Sequence, residues 1–281
     1  MTTDPYARAQ PSPYAGLRLG IIGGGNMARA ILGGLLRNGL DPAQVTVVEP
    51  HGDARARLGT ELGISADAEP SGRLKSCTAV LWAVKPQAFA EASAPVLKYL
   101  AEPLHISVIA GLGVESLQSQ LGSGRVIRCM PNTPAAVGAG IAGCIAAGEA
   151  SESDRRVADD LLRPTGEVLW LNSDADLDRV TAISGSGPAY LLYVIEAVID
   201  GGVRIGLPKE VARRLAIATV VGTGVLARSS NEEISELRGQ VTSKGGTTAA
   251  AIDVLSSAGV HDAVCAAVES AHLRARQLSA M

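Results

Sequence analysis

Two short stretches have the pattern that binding an anion requires. One is "GGGNMA", residues 23 to 28; the other is "TSKGGTTAAAI", residues 242 to 252. In each, glycines run straight into residues that favour a helix. A helix start leaves backbone N–H groups without intrahelical partners, and the helix dipole adds positive potential there. Glycines let an anion come close to those amides, so each stretch suits a phosphate or a carboxylate. Ser243, Thr247 and Thr248 add hydroxyl donors to the second stretch, and Lys244 adds a charge. The same residues also fit a plain glycine turn capped by Thr247 or Thr248, and spacing alone leaves both readings open.

The first stretch has more context. Gly23, Gly25 and Ala28 fit G-x-G-x-x-[GA], with Gly24, Asn26 and Met27 completing the loop. The motif follows the apolar run "LRLGIIG" and opens a helix whose Met27, Ala30, Ile31 and Leu35 share one face. Gly23 then permits the tight turn, Gly25 lets a pyrophosphate approach the backbone, and Ala28 permits close helix–strand packing. Glu49 ends the next apolar run, where an acidic side chain receives a ribose 2′-OH and repels a 2′-phosphate. That favours NADH. His51, Arg55 and Arg57 lie just beyond and favour NADPH instead, and Pro50 has the means to turn Glu49 away. NADPH or NADH therefore remains open. Ala83, Val84, Lys85 and Pro86 in "AVKPQAF", Ile109, Ala110 and Gly111 in "IAGLG", and the turn "MPNTP" occupy further strand ends. In a parallel sheet such ends line the ligand crevice.

These groups need a scaffold, and the apolar pattern supplies one. From Leu17 to about Asn172, short runs ("VTVVE", "AVLWAV", "HISVIA", "RVIRCM", "IAGCIAA", "VLWL") alternate with helical patterns. Several are apolar without alternation, as strands covered on both faces must be. The expected fold is an α/β Rossmann-type domain with a mostly parallel, doubly wound sheet over residues 17–172. An all-α domain for substrate binding and dimerisation follows over 173–281, starting at the helix-start pattern "NSDAD". Helices are expected to open at Pro188 and Pro208. The stretch "AISGSGP" reads as a small-residue, flexible lead-in that lets a planar substrate lie close to the backbone. In "GPAYLLYVIEAVIDGGVRIG" only Glu196, Asp200 and, near its end, Arg204 interrupt the apolar surface, so this half is expected to pack on a copy of itself.

Composition agrees and excludes other classes. Of 281 residues, 47% are hydrophobic and 19% charged, enough for a large core. A mean hydropathy of +0.21 suits a chain that hides apolar surface in an oligomer. Only 3% are aromatic and the net charge is −3, which argues against a nucleic-acid partner. Four cysteines without CxxC spacing and four scattered histidines give no metal site; reduced thiols and a cytoplasmic location follow. Residues 1–16 lack an apolar core of the secretory kind and read as a flexible N-terminal extension. The apolar run 216–227 is too short to span a bilayer, so no membrane partner is expected.

Taken in order, "GIIGGGNMA", "AVKPQ", "MPNTPAAVGAG", "TAISGSGPAYLLYVIEAVIDGGVRIGLP" and "VTSKGGTTAAAI" resemble the pyrroline-5-carboxylate reductase family, from about Leu17 to the C-terminus. The resemblance implies reduction of the C=N bond of 1-pyrroline-5-carboxylate to L-proline with NADPH or NADH, the last step of proline biosynthesis. It implies a homodimer interlocked through the helical domain, and dimers assembled into a decamer. Cofactor contacts then fall on Gly23 to Ala28, Ala83 to Pro86 and Ile109 to Gly111. The substrate loop falls on Ser243, Gly245, Gly246, Thr247 and Thr248, with Thr248 as the catalytic hydrogen-bond donor. Two departures stand out. Many members carry serine or asparagine where this chain has Glu49, and an asparagine common before the "AVKP" strand is missing, with Pro70 near its place. A β-hydroxyacid dehydrogenase is the nearest other enzyme, but it needs a helix lysine and none lies between Lys98 and Lys209. A reductase of another cyclic imine, or a nucleotide-sensing domain, are the remaining readings.

Overall fold

A computed structural model of the chain describes residues 12–279; residues 1–11 of the expected extension lie outside it. The chain divides into two compact units, one running to Gly185 and resuming at His272, the other Ser186–Ala271.

The first unit is built on an eight-stranded sheet of order β3-β2-β1-β4-β5-β6-β7-β8. Its strands are β1 Leu19–Ile22, β2 Val45–Val48, β3 Ala66–Asp67, β4 Ala79–Trp82, β5 Leu104–Ser107, β6 Val126–Met130, β7 Gly140–Ala146 and β8 Gly166–Trp170. Strands β1 to β6 run parallel; β7 is antiparallel to β6, and β8 is parallel to β7. Helices α1 Asn26–Arg37, α2 Gly52–Leu62, α3 Phe89–Leu97, α4 Val114–Leu121 and α5 Glu152–Leu162 connect them.

Alternate strand residues enter two separate cores, which explains runs that are apolar without alternation. Leu19, Ile21, Val45, Val47, Leu81 and Ile106 pack with Ile31, Leu32 and Leu35 of α1, Leu58 of α2 and Leu161 of α5. Ile22, Val48, Val80 and Trp82 pack on the other face with Phe89 and Val96 of α3 and Leu117 and Leu121 of α4. Tyr14, within the expected extension, is 2% exposed and joins the first core.

His105 is buried, 2% exposed, against Trp82 of the second core. Trp82 Nε1 donates to His105 Nδ1 at 3.1 Å, and the rings stack. Burial, helped by the nearby Arg125 charge, lowers the His105 pKa to about 4. The folded state therefore refuses a proton that the unfolded chain accepts below about 6.5. Stability is complete above that pH and falls as pH drops toward 4. Between pH 7 and pH 5 we expect a loss of roughly 2 kcal/mol, read by urea titration at each pH, from this group alone. A His105→Asn variant whose pH dependence matches the parent would remove His105 as the cause.

A continuous helical run leads out of the sheet. Ser173 caps α6 (Asp174–Val180) by accepting from the Asp176 amide at 3.2 Å. Thr181–Gly185 then forms a single wide π turn, and α7 (Gly187–Arg204) continues it with Pro188 in its first turn. The expected flexible lead-in is thus helical. Thr181 and Ser184 hydroxyls donate back to the Leu177 and Val180 carbonyls at 2.8 and 3.1 Å, serving carbonyls of the widened turn.

In the second unit, α7 packs on α8 (Lys209–Ser229) where Gly202 faces Ala212; a Cβ on Gly202 would lie 2.9 Å from that of Ala212. Helices α9 (Ile234–Gln240), α10 (Thr247–Ser257) and α11 (Val260–Ser279) follow. No residue of α7 is buried, and Leu191, Leu192, Tyr193, Val198, Val221 and Val225 are each more than half exposed. An apolar surface of this extent marks an interface.

Candidate active site: two glycine turns

The parallel register brings one set of strand ends into a row. Ile22 pairs with Trp82, Trp82 with Ser107, and Ser107 with Arg128. The turns after β1, β4, β5 and β6 therefore emerge along one sheet edge. The chain order places β1 between β2 and β4, so the connections reverse there, which is where such sheets bind ligands.

At that point Gly23 has φ +97° and its N–H donates to Val48 O at 2.8 Å. A Cβ on Gly23 would lie 2.6 Å from the Ala83 carbonyl oxygen. Gly24 is equally confined, its Cβ position 2.7 Å from Leu58 Cδ1 and 3.1 Å from Glu49 Cγ. Gly25 differs: nothing lies within 4 Å of its Cβ position, and it opens α1 without a side-chain cap. The space over Gly25 and the uncapped amides beyond it form an open cradle. Asn26 at its rim is exposed, and its Oδ1 accepts from Arg29 Nη2 at 2.8 Å. Met27 is half-buried and Ala28 is 1% exposed against the sheet.

Glu49 is 5% exposed, and Pro50 does not turn it away. Its Oε2 accepts from the Gly24 N–H at 2.7 Å and its Oε1 from the His51 N–H at 2.8 Å. After β4, Ala83 and Val84 are half-buried, Lys85 is exposed, and Pro86 opens a 3₁₀ turn. After β5, Ile109 is buried and Ala110 exposed, while Gly111 has φ +78° with its Cβ position 3.3 Å from Leu278 Cβ. Pro70 lies between β3 and the 3₁₀ turn at Gly72–Ser76. After β6, Asn132 has a function that the motif "MPNTP" did not reveal. Its Oδ1 accepts from Ile141 N at 3.0 Å and its Nδ2 donates to Ser184 O at 3.2 Å, fixing the π turn to the strand-end turn.

The second glycine turn lies in the other unit. Gly245 has φ +74°, and the Gly246 N–H donates to Ser243 O at 3.0 Å. A Cβ on Gly246 would meet Ser243 Oγ at 2.6 Å, so the turn folds tightly over Ser243. Gly246 is the N-cap of α10 and no side chain caps it; Thr247 and Thr248 are the first helical residues rather than caps. Thr248 is half-buried, whereas Ser243, Lys244 and Thr247 are exposed.

A glycine-turn cradle at the switch point of a Rossmann-type sheet, joined to a helical unit with an uncovered apolar face, defines a nucleotide-dependent oxidoreductase. Comparison with known proteins narrows it. Residues 18–111 match the family described as NADP oxidoreductase, coenzyme F420-dependent, and residues 174–278 match pyrroline-5-carboxylate reductase dimerisation. A pyrroline-5-carboxylate reductase of Pseudomonas aeruginosa is 39% identical, the alignment covering 93% of this chain and 97% of that protein. The solved structure of a pyrroline-5-carboxylate reductase from Coxiella burnetii superposes with a TM-score of 0.86 at 33% identity, covering 94% of this chain and 98% of that one. That of Plasmodium falciparum pyrroline carboxylate reductase with NADP bound gives 0.84 at 27% identity, with the same coverage. The chain belongs to the pyrroline-5-carboxylate reductase family. It is an NAD(P)-dependent oxidoreductase, and the family's reaction is the last step of proline biosynthesis.

Proposed function

We propose that the two glycine turns divide the work of reducing 1-pyrroline-5-carboxylate to L-proline, the first holding the cofactor and the second the substrate. The open space over Gly25, beside two glycines that admit no side chain, is the observation that carries this reading. It fits a pyrophosphate lying on the first amides of α1. Ala83 to Pro86 and Ile109 to Gly111 line the same edge and hold the rest of the nucleotide. When bound, the cofactor supplies the hydride. The chain supplies position, an effect of at most ~7–11 kcal/mol on the barrier.

In the second turn, the uncapped α10 amides and the Ser243 and Thr247 hydroxyls receive the substrate carboxylate. Thr248 donates a hydrogen bond to the ring nitrogen, and the proton that the nitrogen gains as the C=N bond is reduced comes from water. Thr248→Ala should lower kcat/KM by ~10- to 200-fold, the scale of one lost hydrogen bond to a charged group. Unchanged kinetics would remove Thr248 from the reaction. The assignment as a whole is tested by NAD(P)H oxidation with 1-pyrroline-5-carboxylate, and folded protein that gives no turnover refutes it.

The chain works as a homodimer in the cytoplasm, with dimers assembled into a decamer. The run Asp174–Arg204 is long and apolar enough to cross a bilayer. It lies inside the dimerisation match, and Glu196 and Asp200 interrupt it, so a second copy rather than lipid is its cover. Light scattering in detergent-free buffer should return a dimer or larger; a monomer defeats this.

A further inference from the structure

We infer that this chain selects NADH over NADPH, and that Glu49 sets the preference. The inference rests on the first turn being the cofactor site. A carboxyl group at the end of the second strand faces the ribose next to the adenine. Here it is fixed from two sides. The Gly24 and His51 amides hold one oxygen each, at 2.7 and 2.8 Å. Gly24 lacks the Cβ that would push the Glu49 stem away. The carboxylate therefore cannot swing aside for a 2′-phosphate without leaving two N–H groups unpaired. Its remaining lone pairs suit a ribose 2′-OH, which donates. A 2′-phosphate brings nearly two negative charges and no matching donor.

Of the basic residues near the turn, Arg55 is tied to its backbone and Arg57 is drawn along its own helix. Arg55 Nη1 donates to the Glu49 and Pro50 carbonyls at 2.9 and 2.7 Å, which draws it back onto the turn. Arg57 Nε donates to Asp53 O at 3.4 Å, one turn along α2. Asp53 adds a second acidic group in the first turn of that helix. The His51 side chain at the turn is exposed, and one imidazole is a weak match for a phosphate dianion. The inferred preference is for the cofactor other than the NADP bound in the solved relative and named in the family description matching residues 18–111.

Direct binding tests this without turnover. The full-length protein is titrated with NADH and with NADPH, following nicotinamide fluorescence, and its melting point is read with NAD⁺ and NADP⁺. We expect a Kd for NADH at least about tenfold lower, and a larger melting shift with NAD⁺. Glu49→Gln, which keeps length and removes charge, should bring the two Kd values to within about threefold. Glu49→Ser should weaken NADH and likewise bring the two Kd values to within about threefold. Equal or tighter NADPH binding by the wild type overturns the inference but leaves the reductase assignment standing. Binding of neither nucleotide removes the cofactor site itself.

Discussion

Gly23→Ala should cost the enzyme at least ~100-fold in kcat/KM and lower its melting temperature, whereas Gly25→Ala should weaken cofactor binding and leave the melting temperature unchanged. The two glycines are two residues apart and chemically identical, so any difference is geometric. Gly23 sits at φ +97°, where a side chain is strained by roughly 1–3 kcal/mol. Its new methyl would also meet a backbone oxygen, Ala83 O, at 2.6 Å. A backbone atom cannot rotate away as a side chain can. The turn must shift, and it is held by the Gly23 N–H to Val48 O bond on one side and Gly24 to Glu49 on the other. Displacement of that order misaligns bound groups enough for ~100-fold losses. Gly25 has φ −70° and open space at its Cβ position, so alanine fits the empty protein. The added methyl occupies the room that the proposed pyrophosphate needs. Isothermal titration with cofactor and a melting curve for each variant separate the cases. Full cofactor affinity in Gly25→Ala would show that nothing binds over that glycine.

The sequence revealed elements whose physics is local. Seven apolar runs became β1, β2 and β4 to β8; all but β8, which lies at the sheet edge with no buried residue, carry apolar residues buried in the cores. Strand β3 is only Ala66–Asp67, an edge pair with no apolar run, and left no trace in the pattern. The π turn was hidden for a different reason. "TAISG" reads as part of a small-residue lead-in, and its helical form is held by two hydroxyl–carbonyl bonds and by Asn132, more than fifty residues before Ser184. Glu49 shows the same limit in the site. Its position in the strand was readable, and the effect of Pro50 was not. The answer depended on the His51 N–H, which takes Glu49 Oε1 and keeps the side chain over the glycine turn. Thr247 and Thr248 were open between caps and donors, and only the backbone decided that Gly246 takes the cap position.

Arg128→Ala is the substitution with the largest expected effect on stability, although Arg128 lies outside every motif. It is 1% exposed in the middle of β6. Its guanidinium pairs with Asp174 and lies 3.7 Å from Asp178 Oδ1, both on α6. Asp174 Oδ2 also accepts from the Val114 N–H at 2.9 Å, which caps α4, and Ser279 Oγ donates to Asp178 Oδ1 at 2.8 Å. One cation thus joins the sheet to α6, the start of α4 and the end of α11. Removing one partner of a buried set leaves uncompensated charge, at ~3–5 kcal/mol. Asp174 is 36% exposed on its side chain, so water softens the loss and the lower end applies. The melting temperature should fall by about 6–12 °C. The cause is uncompensated charge rather than lost volume, so filling the space should not help. Arg128→Met should be nearly as damaging as alanine. Adding Asp174→Asn and Asp178→Asn to it should recover most of the loss, since a neutral set of similar size stands close to a buried ion pair in stability. If the triple variant melts below Arg128→Met, the ion set contributes favourably in its own right and this account of Arg128 is wrong.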